Sequence, residues 1–338
     1  MTPSWRAVTI STPFAACPSA RFSFGSITDK SQQRESVRLP LVPVCEHPLN
    51  RLQYLAMEGF VRVSQIWSYP VKSMVGERVD AAEVSTLGVV GDRHWAIRDH
   101  ELGGIRGAKK IGDLMKFAAR RRGRDVVITL PDGSSVSSSD PEVSSVLSAA
   151  LGRRVGLEAL APIEDLEHYR RGPSDNPDMM DELRRVFGRD VDEPLPDFAV
   201  FPPEVMEFES PPGTHHDCWP LMVMTESALN ALRTALPESV VDIRRFRPSF
   251  VVDGAPAGHP EFGWSGRRAT IGTCEVEFLS PCPRCVMVTR EISSEIPEDR
   301  RILRHVVRDL DQNVGVYARI VTPGLISVGD ELVFGDER

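Results

Sequence analysis

The chain has 338 residues, 41% of them hydrophobic, and a net charge of −8 from 40 basic and 48 acidic residues. That length gives room for two domains and a sizeable core, and the acidic balance argues against general nucleic-acid binding. No run of eighteen apolar residues occurs, so no membrane span is expected; six cysteines are too sparse for a disulfide framework and fit a reducing, cytoplasmic compartment.

Residues 1–56 hold 11 Ser or Thr, six basic and three acidic residues, with no lasting periodicity. This is the composition of a disordered tail. Its Ser-rich, acid-poor bias slightly resembles an organellar transit peptide, without a clear Arg-rich amphipathic helix. Met57, just ahead of the first convincing strand, is an alternative start. From there Val61–Trp67 alternates as a half-buried strand does. Further strands are expected at Arg78–Val84, His94–Asp99, Asp125–Leu130 and Val155–Leu160, with a helix at Pro141–Leu151 behind a Ser139 or Asp140 cap. Residues 162–217 are polar and proline-rich and read as a linker plus a lid-like insertion, with a short helix at Met179–Phe187.

The second half resumes with the apolar strand Leu221–Met224 and a helix whose N-cap is Thr225, with apolar positions at 229, 232 and 236. Strands at 249–253, 269–279, 285–290, 314–321 and 331–334 and a helix at Pro297–Leu310 complete the pattern. Many short strands with few helices predict an α+β, strand-rich fold of barrel-like β domains with peripheral helices.

The stretch richest in chemistry is Ser280-Pro281-Cys282-Pro283-Arg284-Cys285. Two thiols bracket an arginine at a strand end stiffened by two prolines, and a nearby cation favours the reactive, metal-binding thiolate. One CxxC is only half of a structural zinc site, with Cys218, Cys274, His215 and His216 as candidates for the rest. A thioredoxin-type redox pair is a further reading, and two inert buried cysteines another. There is no dinucleotide fingerprint, P-loop, GxSxG or HExxH motif.

Five more segments accompany it in order: YPVKS (69–73), GDRHW (91–95), MTESAL (224–229), RRFRPS (244–249) and NVGVYARIVTPGLISVGD (313–330). With CPRC (282–285) they resemble the MOSC proteins that carry an N-terminal MOSC β-barrel domain, nearest to the amidoxime reducing components and bacterial N-hydroxylated-compound reductases. The resemblance spans roughly Val61 to Phe334. It implies an N-terminal MOSC-type barrel at 61–161, the insertion at 162–217 and a MOSC barrel at 218–337. It also implies molybdenum cofactor (molybdopterin), with Cys285 as the protein thiolate on molybdenum. Lys72, Ser73, Arg93, Thr225, Ser227, Arg247, Ser249 and Arg284 would hold the pterin and its phosphate. Ser249 stands where the family usually has asparagine, and Lys109 where relatives often have arginine, which keeps the charge but not the planar fork. Cys285, Lys72, Arg93 and Arg247 come from both halves of the chain, so the site should straddle them.

The activity so implied is a molybdenum-dependent oxidoreductase acting on small N-hydroxylated or N-oxygenated compounds. The chain shows no plant-type iron–sulfur spacing and no flavin or nicotinamide fingerprint, so its electrons are expected from a separate donor protein. Arg244, Arg245 and the basic run Lys116 to Arg124 are candidate docking patches for it. The alternatives are a sulfur carrier or cofactor-handling protein with a Cys285 persulfide, and a zinc-stabilised binding module. Pyridoxal phosphate binding is not expected.

Overall fold

The computed structural model describes residues 60–335. The expected tail at 1–56 and the alternative start at Met57 lie outside the described residues. The first half carries β1 (Arg62–Ser68), β2 (Glu77–Val79), β3 (Ala81–Ser85), β4 (Gly88–Val89) and β5 (Trp95–Asp99), then the meander β6 (Ala118–Arg122), β7 (Asp125–Thr129) and β8 (Ser135–Ser137). Helix α1 (Val143–Leu151), ended by left-handed Gly152, leads into β9 (Val155–Ala159), which pairs with β5. The insertion contributes α2 (Leu166–Tyr169) and α3 (Met179–Phe187), the latter capped by the Asp178 carboxylate.

The second half adds β10 (Leu221–Thr225), α4 (Glu226–Ala235) and β11 (Phe250–Asp253), a crossover between two parallel strands. It continues with β12 (Arg268–Ile271), β13 (Cys274–Pro283), α5 (Arg300–Asp309), β14 (Asn313–Thr322), β15 (Gly324–Ser327) and β16 (Leu332–Phe334). The main sheet has eight strands in the order β16-β12-β13-β14-β10-β11-β1-β2, so strands of both halves share it.

The class is α+β and strand-rich, as the sequence predicts; the eight-strand ladder runs from β16 to β2 without a continuous closing pair, but the chain at β16 returns to β1, with Val63 N donating to the Asp330 carbonyl at 2.9 Å and Leu332 N to the Val61 carbonyl at 2.8 Å. The central strands are buried on both sides. Successive side chains of a strand face opposite ways. In β10, Leu221 and Val223 enter a core capped by β3, β4 and β15, while Met222 and Met224 enter another beneath α4 and α5. These strands are therefore apolar on both faces. A third core, from Val71 to Val155, belongs to the first half, and Met287, Ile292 and Ile296 reach into it from just past the CPRC loop.

Three strand expectations are corrected. The expected strand at Arg78–Val84 is two, β2 and β3, which break at Asp80 and pair in different sheets. The expected strand at 269–279 is a hairpin, β12 and β13, turning at left-handed Gly272. The expected strand at 285–290 is a 3-10 turn, Val286–Thr289. Pairing of β13 with β14 becomes irregular at Pro281 and Pro283, which lack N–H donors. The carbonyls of Val288 and Arg290 are taken instead by the buried Arg245 guanidinium, at 3.3 and 2.9 Å. Further along, Gly315 in β14 has φ of 76°, and a Cβ there would lie 2.6 Å from Met222 Sδ and 2.9 Å from the Val223 carbonyl.

Candidate functional site

Five non-glycine residues among those described have positive φ, and three of them line one cavity of about 720 Å³: Ser73 at 70°, Arg93 at 47° and Arg247 at 59°. A left-handed backbone at such residues costs about 1–2 kcal/mol, and strain of this kind gathers at functional sites.

Local hydrogen bonding fixes these conformations. The 69–73 and 91–95 loops lie side by side, with Arg93 N donating to the Tyr69 carbonyl at 2.7 Å, Trp95 N to Pro70 at 3.0 Å and Lys72 N to Trp95 at 2.8 Å. The Asp92 carboxylate accepts from Tyr69 N at 2.5 Å and pairs with the Arg93 side chain. The buried Tyr69 ring carries the Arg247 guanidinium 4.2 Å from its centre and that of Arg93 at 5.2 Å. Arg247 Nη1 donates to the Met74 carbonyl, whereas its Nη2 is buried without a partner. Burial, then the neighbouring Arg93 charge, brings the Arg247 pKa down to about 10.

The CPRC loop forms the adjoining wall. Cys282 is buried and accepts from Arg284 Nη1 at 3.0 Å; Cys285 is half-buried and opens on the cavity. Arg284 Nη2 donates to the Phe246 carbonyl at 2.6 Å, and its Nε is buried without a partner. Arg189, from the insertion, donates to the Arg284 carbonyl at 2.9 Å and to Gln312 Oε1 at 3.0 Å. Gln312 in turn accepts Arg284 N on its own carbonyl at 2.8 Å. The loop is thus clamped from both sides.

On the cavity floor, Lys72 donates to Ser210 Oγ at 3.2 Å, to the His215 carbonyl at 2.9 Å and to Asp217. Lys109 Nζ lies 3.4 Å from the second oxygen of Asp217. Burial alone would raise the Asp217 pKa, but Lys109 and Lys72 hold it well below the usual carboxylate range. Behind the floor, His215 Nδ1 donates to the Arg93 carbonyl at 3.1 Å, its Nε2 faces His168 Nε2 at 3.0 Å, and His216 Nε2 donates to Leu87 at 3.1 Å. Burial, then the Lys72 charge, pushes His215 down to about 3; burial, then Arg93, pushes His216 well below its ordinary value.

The opposite wall is apolar. Phe187, Phe198 and Phe201 pack together with ring centres 5.9–6.2 Å apart, and Trp219 Nε1 donates to the Val200 carbonyl at 2.9 Å. Helix α3 is held over the cavity by pairs of Lys110 with Glu182, at 3.3 Å, and of Arg106 with Asp175.

The structure therefore brings together Lys72, Ser73, Arg93, Arg247, Ser249, Arg284 and Cys285, along with Lys109. Thr225 and Ser227 do not line this cavity. Thr225 Oγ1 accepts from Ala228 N as the helix cap and donates to Glu261, both at 2.9 Å; Ser227 Oγ donates to the Ala255 carbonyl at 2.8 Å. Thr225 is the last residue of β10 and Ser227 lies just past it, whereas the cavity opens at Met222 and Ser249, near the strands' other ends. Arg244 does not line the cavity either and is held by Asp242 at 2.8 Å; Arg245 lines it, but its buried guanidinium is spent on four backbone carbonyls. Tyr69, Arg189 and Asp217 went unrecognised as site residues. Tyr69 stood within YPVKS, Asp217 lay between His216 and Cys218, both named as zinc candidates, and Arg189 left no signal. Among the described residues, no group of three or more His, Cys, Asp or Glu side chains could hold a metal ion between them.

The MOSC N-terminal β-barrel domain matches residues 60–162, and the MOSC domain matches residues 212–333. The chain belongs to the MOSC family, in the form that carries this N-terminal domain. Mitochondrial amidoxime reducing component 2 of Bos taurus is 28% identical over 67% of this chain and 66% of its own length. Mitochondrial amidoxime-reducing component 1 of Homo sapiens is 25% identical over 84% and 85%. Both are named as mitochondrial proteins, where the cysteine count had suggested the cytoplasm. The YUAD protein of Bacillus subtilis aligns over 82% of this chain and 97% of its own at 12% identity, with a TM-score of 0.39, a weak likeness. No helix among the described residues is long and apolar enough to cross a membrane.

Proposed function

We propose that this cavity holds molybdenum cofactor and that the protein reduces small N-hydroxylated or N-oxygenated compounds with electrons from a separate redox protein. The observation that carries the reading is the joining, in one cavity, of the half-buried Cys285 thiol with a cluster of fixed cations. A soft thiolate suits molybdenum, and arginine and lysine suit a pterin phosphate. The buried, unpartnered Arg247 Nη2 and Arg284 Nε fit an acceptor-rich ligand, since such groups seldom go unpaired.

In this reading Cys285 ligates the metal, and Arg93, Arg247, Ser249, Ser73, Lys72 and Arg284 orient the pterin and its phosphate. Bound, the cofactor would supply the redox centre for removing oxygen from nitrogen. Arg189 and Gln312 keep the thiol aimed into the cavity, and the Phe187–Phe198–Phe201 wall excludes water from the substrate side. The exposed Arg120, Arg121, Arg122 and Arg124 of the β6–β7 hairpin remain available to steer an acidic donor protein.

The test is metal and pterin analysis of the full chain from a cofactor-competent host, followed by turnover of an N-hydroxylated model substrate with an artificial low-potential donor. Molybdenum near one per chain with reduction of the substrate is expected. A labile sulfur on Cys285 and no molybdenum would overturn the reading in favour of sulfur transfer.

A further inference from the structure

One carboxylate on the cavity floor answers two cations, the buried Lys72 and the half-buried Lys109. Lys72 is 2% exposed, and its three N–H donors already meet Ser210 Oγ, the His215 carbonyl and Asp217. As arranged, it has no donor left for a ligand. Among the described residues Asp217 is the only acidic partner of Lys72 and of Lys109. Ser210 and His215 are buried and fixed, whereas the Asp217 side chain is 38% exposed and lines the cavity.

We propose that Asp217 is an internal counter-ion which an incoming oxyanion displaces: a phosphate group enters by exchanging with the Asp217 carboxylate on Lys72 and Lys109. This rests on the reading of the cavity as an anion-holding cofactor site, but its test requires no molybdenum. The unpartnered Arg247 Nη2 offers the anion a first contact. Arg247 and Arg93 both lie close enough to Asp217 to feel its charge. Exchange keeps Lys72 paired at every stage, which matters because a buried ammonium stripped of its partner is strongly disfavoured. The half-exposed carboxylate has solvent to turn into, and a phosphate brings more charge and more acceptor oxygens than it removes.

The experiment titrates inorganic phosphate by calorimetry into the full chain, prepared in a host that makes no cofactor. Asp217→Asn keeps an acceptor for Lys72 but removes the competing charge, and should bind phosphate about tenfold more tightly than the parent, worth about 1.4 kcal/mol. Asp217→Glu, which restores the charge, should stay near the parent. Adding Arg247→Met to Asp217→Asn should abolish the gain. If Asp217→Asn does not fold, Asp217→Ser, whose hydroxyl still accepts from Lys72, gives the same comparison. Equal or weaker binding by the neutral variant, no binding by either protein, or a gain that survives Arg247→Met would overturn the proposal. A wild-type protein without molybdenum would overturn the function proposed above and leave this exchange standing.

Discussion

Acid should loosen this protein through two histidines before it reaches the carboxylates. His215 is held down to about 3 and His216 well below its usual value, in both cases chiefly by burial. Both rings stay neutral in the fold, while the unfolded chain takes a proton on each below about pH 6.5. Their contribution is therefore fully present above that pH and is lost as pH falls through it. From pH 7.5 to 5.5 the loss is about 1.4 kcal/mol per ring, about 2.7 kcal/mol for the two. For a domain of this size that lowers the Tm by roughly 5–10 °C. Burial also lowers His94 and His168, which add to the trend. The assay is urea unfolding at half-unit pH steps, for the parent and for His215→Asn, whose amide can still donate to the Arg93 carbonyl. The variant should lose about 1.4 kcal/mol less over the same interval. Curves of identical pH slope would refute the argument, whatever the difference in absolute stability.

Cys285→Ser should leave a folded protein with its molybdenum lost or altered, while Cys282→Ser, whose sulfur accepts from Arg284, should mainly lower stability; metal analysis beside thermal melts separates the two. Gly315→Ala should destabilise by about 2–4 kcal/mol in denaturant unfolding, because its Cβ meets Met222 and a strand carbonyl in a left-handed segment. The isolated chain should reduce an N-hydroxylated substrate with an artificial low-potential donor but not with NADH alone; turnover with NADH and no added protein would count against it. Neutralising Arg120, Arg121, Arg122 and Arg124 together should slow coupling to an acidic donor protein and flatten its salt dependence, whereas Arg245→Met should cost stability instead, since that guanidinium holds four backbone carbonyls.

The parts of the fold written in local pattern were readable. Alternation marked β1, the Thr225 cap marked α4, and Met179–Phe187 is the helix expected inside the insertion. What failed depended on partners far along the chain. The run Val286–Val288 has strand composition, yet it turns, its Val286 carbonyl taken by Thr289 Oγ1 and its Val288 carbonyl by the distant Arg245. The strand Ala118–Arg122 was missed because its three arginines carry no apolar alternation, and pairing with β7 creates it. At the site, Arg245 and Arg247 sit two residues apart in one motif. One spends its guanidinium on four backbone carbonyls and the other keeps an unpartnered Nη2, a distinction that only the 3-10 turn at Ile243–Arg245 and the left-handed Arg247 draw. Thr225 shows the converse: its motif was right for a helix start, but that helix begins away from the cavity.

The left-handed residues Ser73, Arg93 and Arg247 set stability and activity against each other. Glycine adopts those backbone angles without penalty, so replacing any of the three would relieve strain while removing a hydroxyl or a guanidinium from the cavity wall. A laboratory selection for thermal tolerance alone would be free to drift toward glycine at all three positions. The relief of strain would come with a hollowed-out anion cradle and with the loss of the contacts these side chains make to Tyr69, Met74, Asp92 and Ala108 N. Any stabilisation campaign on this scaffold therefore has to screen for ligand retention at the same time, and its safest changes lie on the exposed faces of α1 and α5.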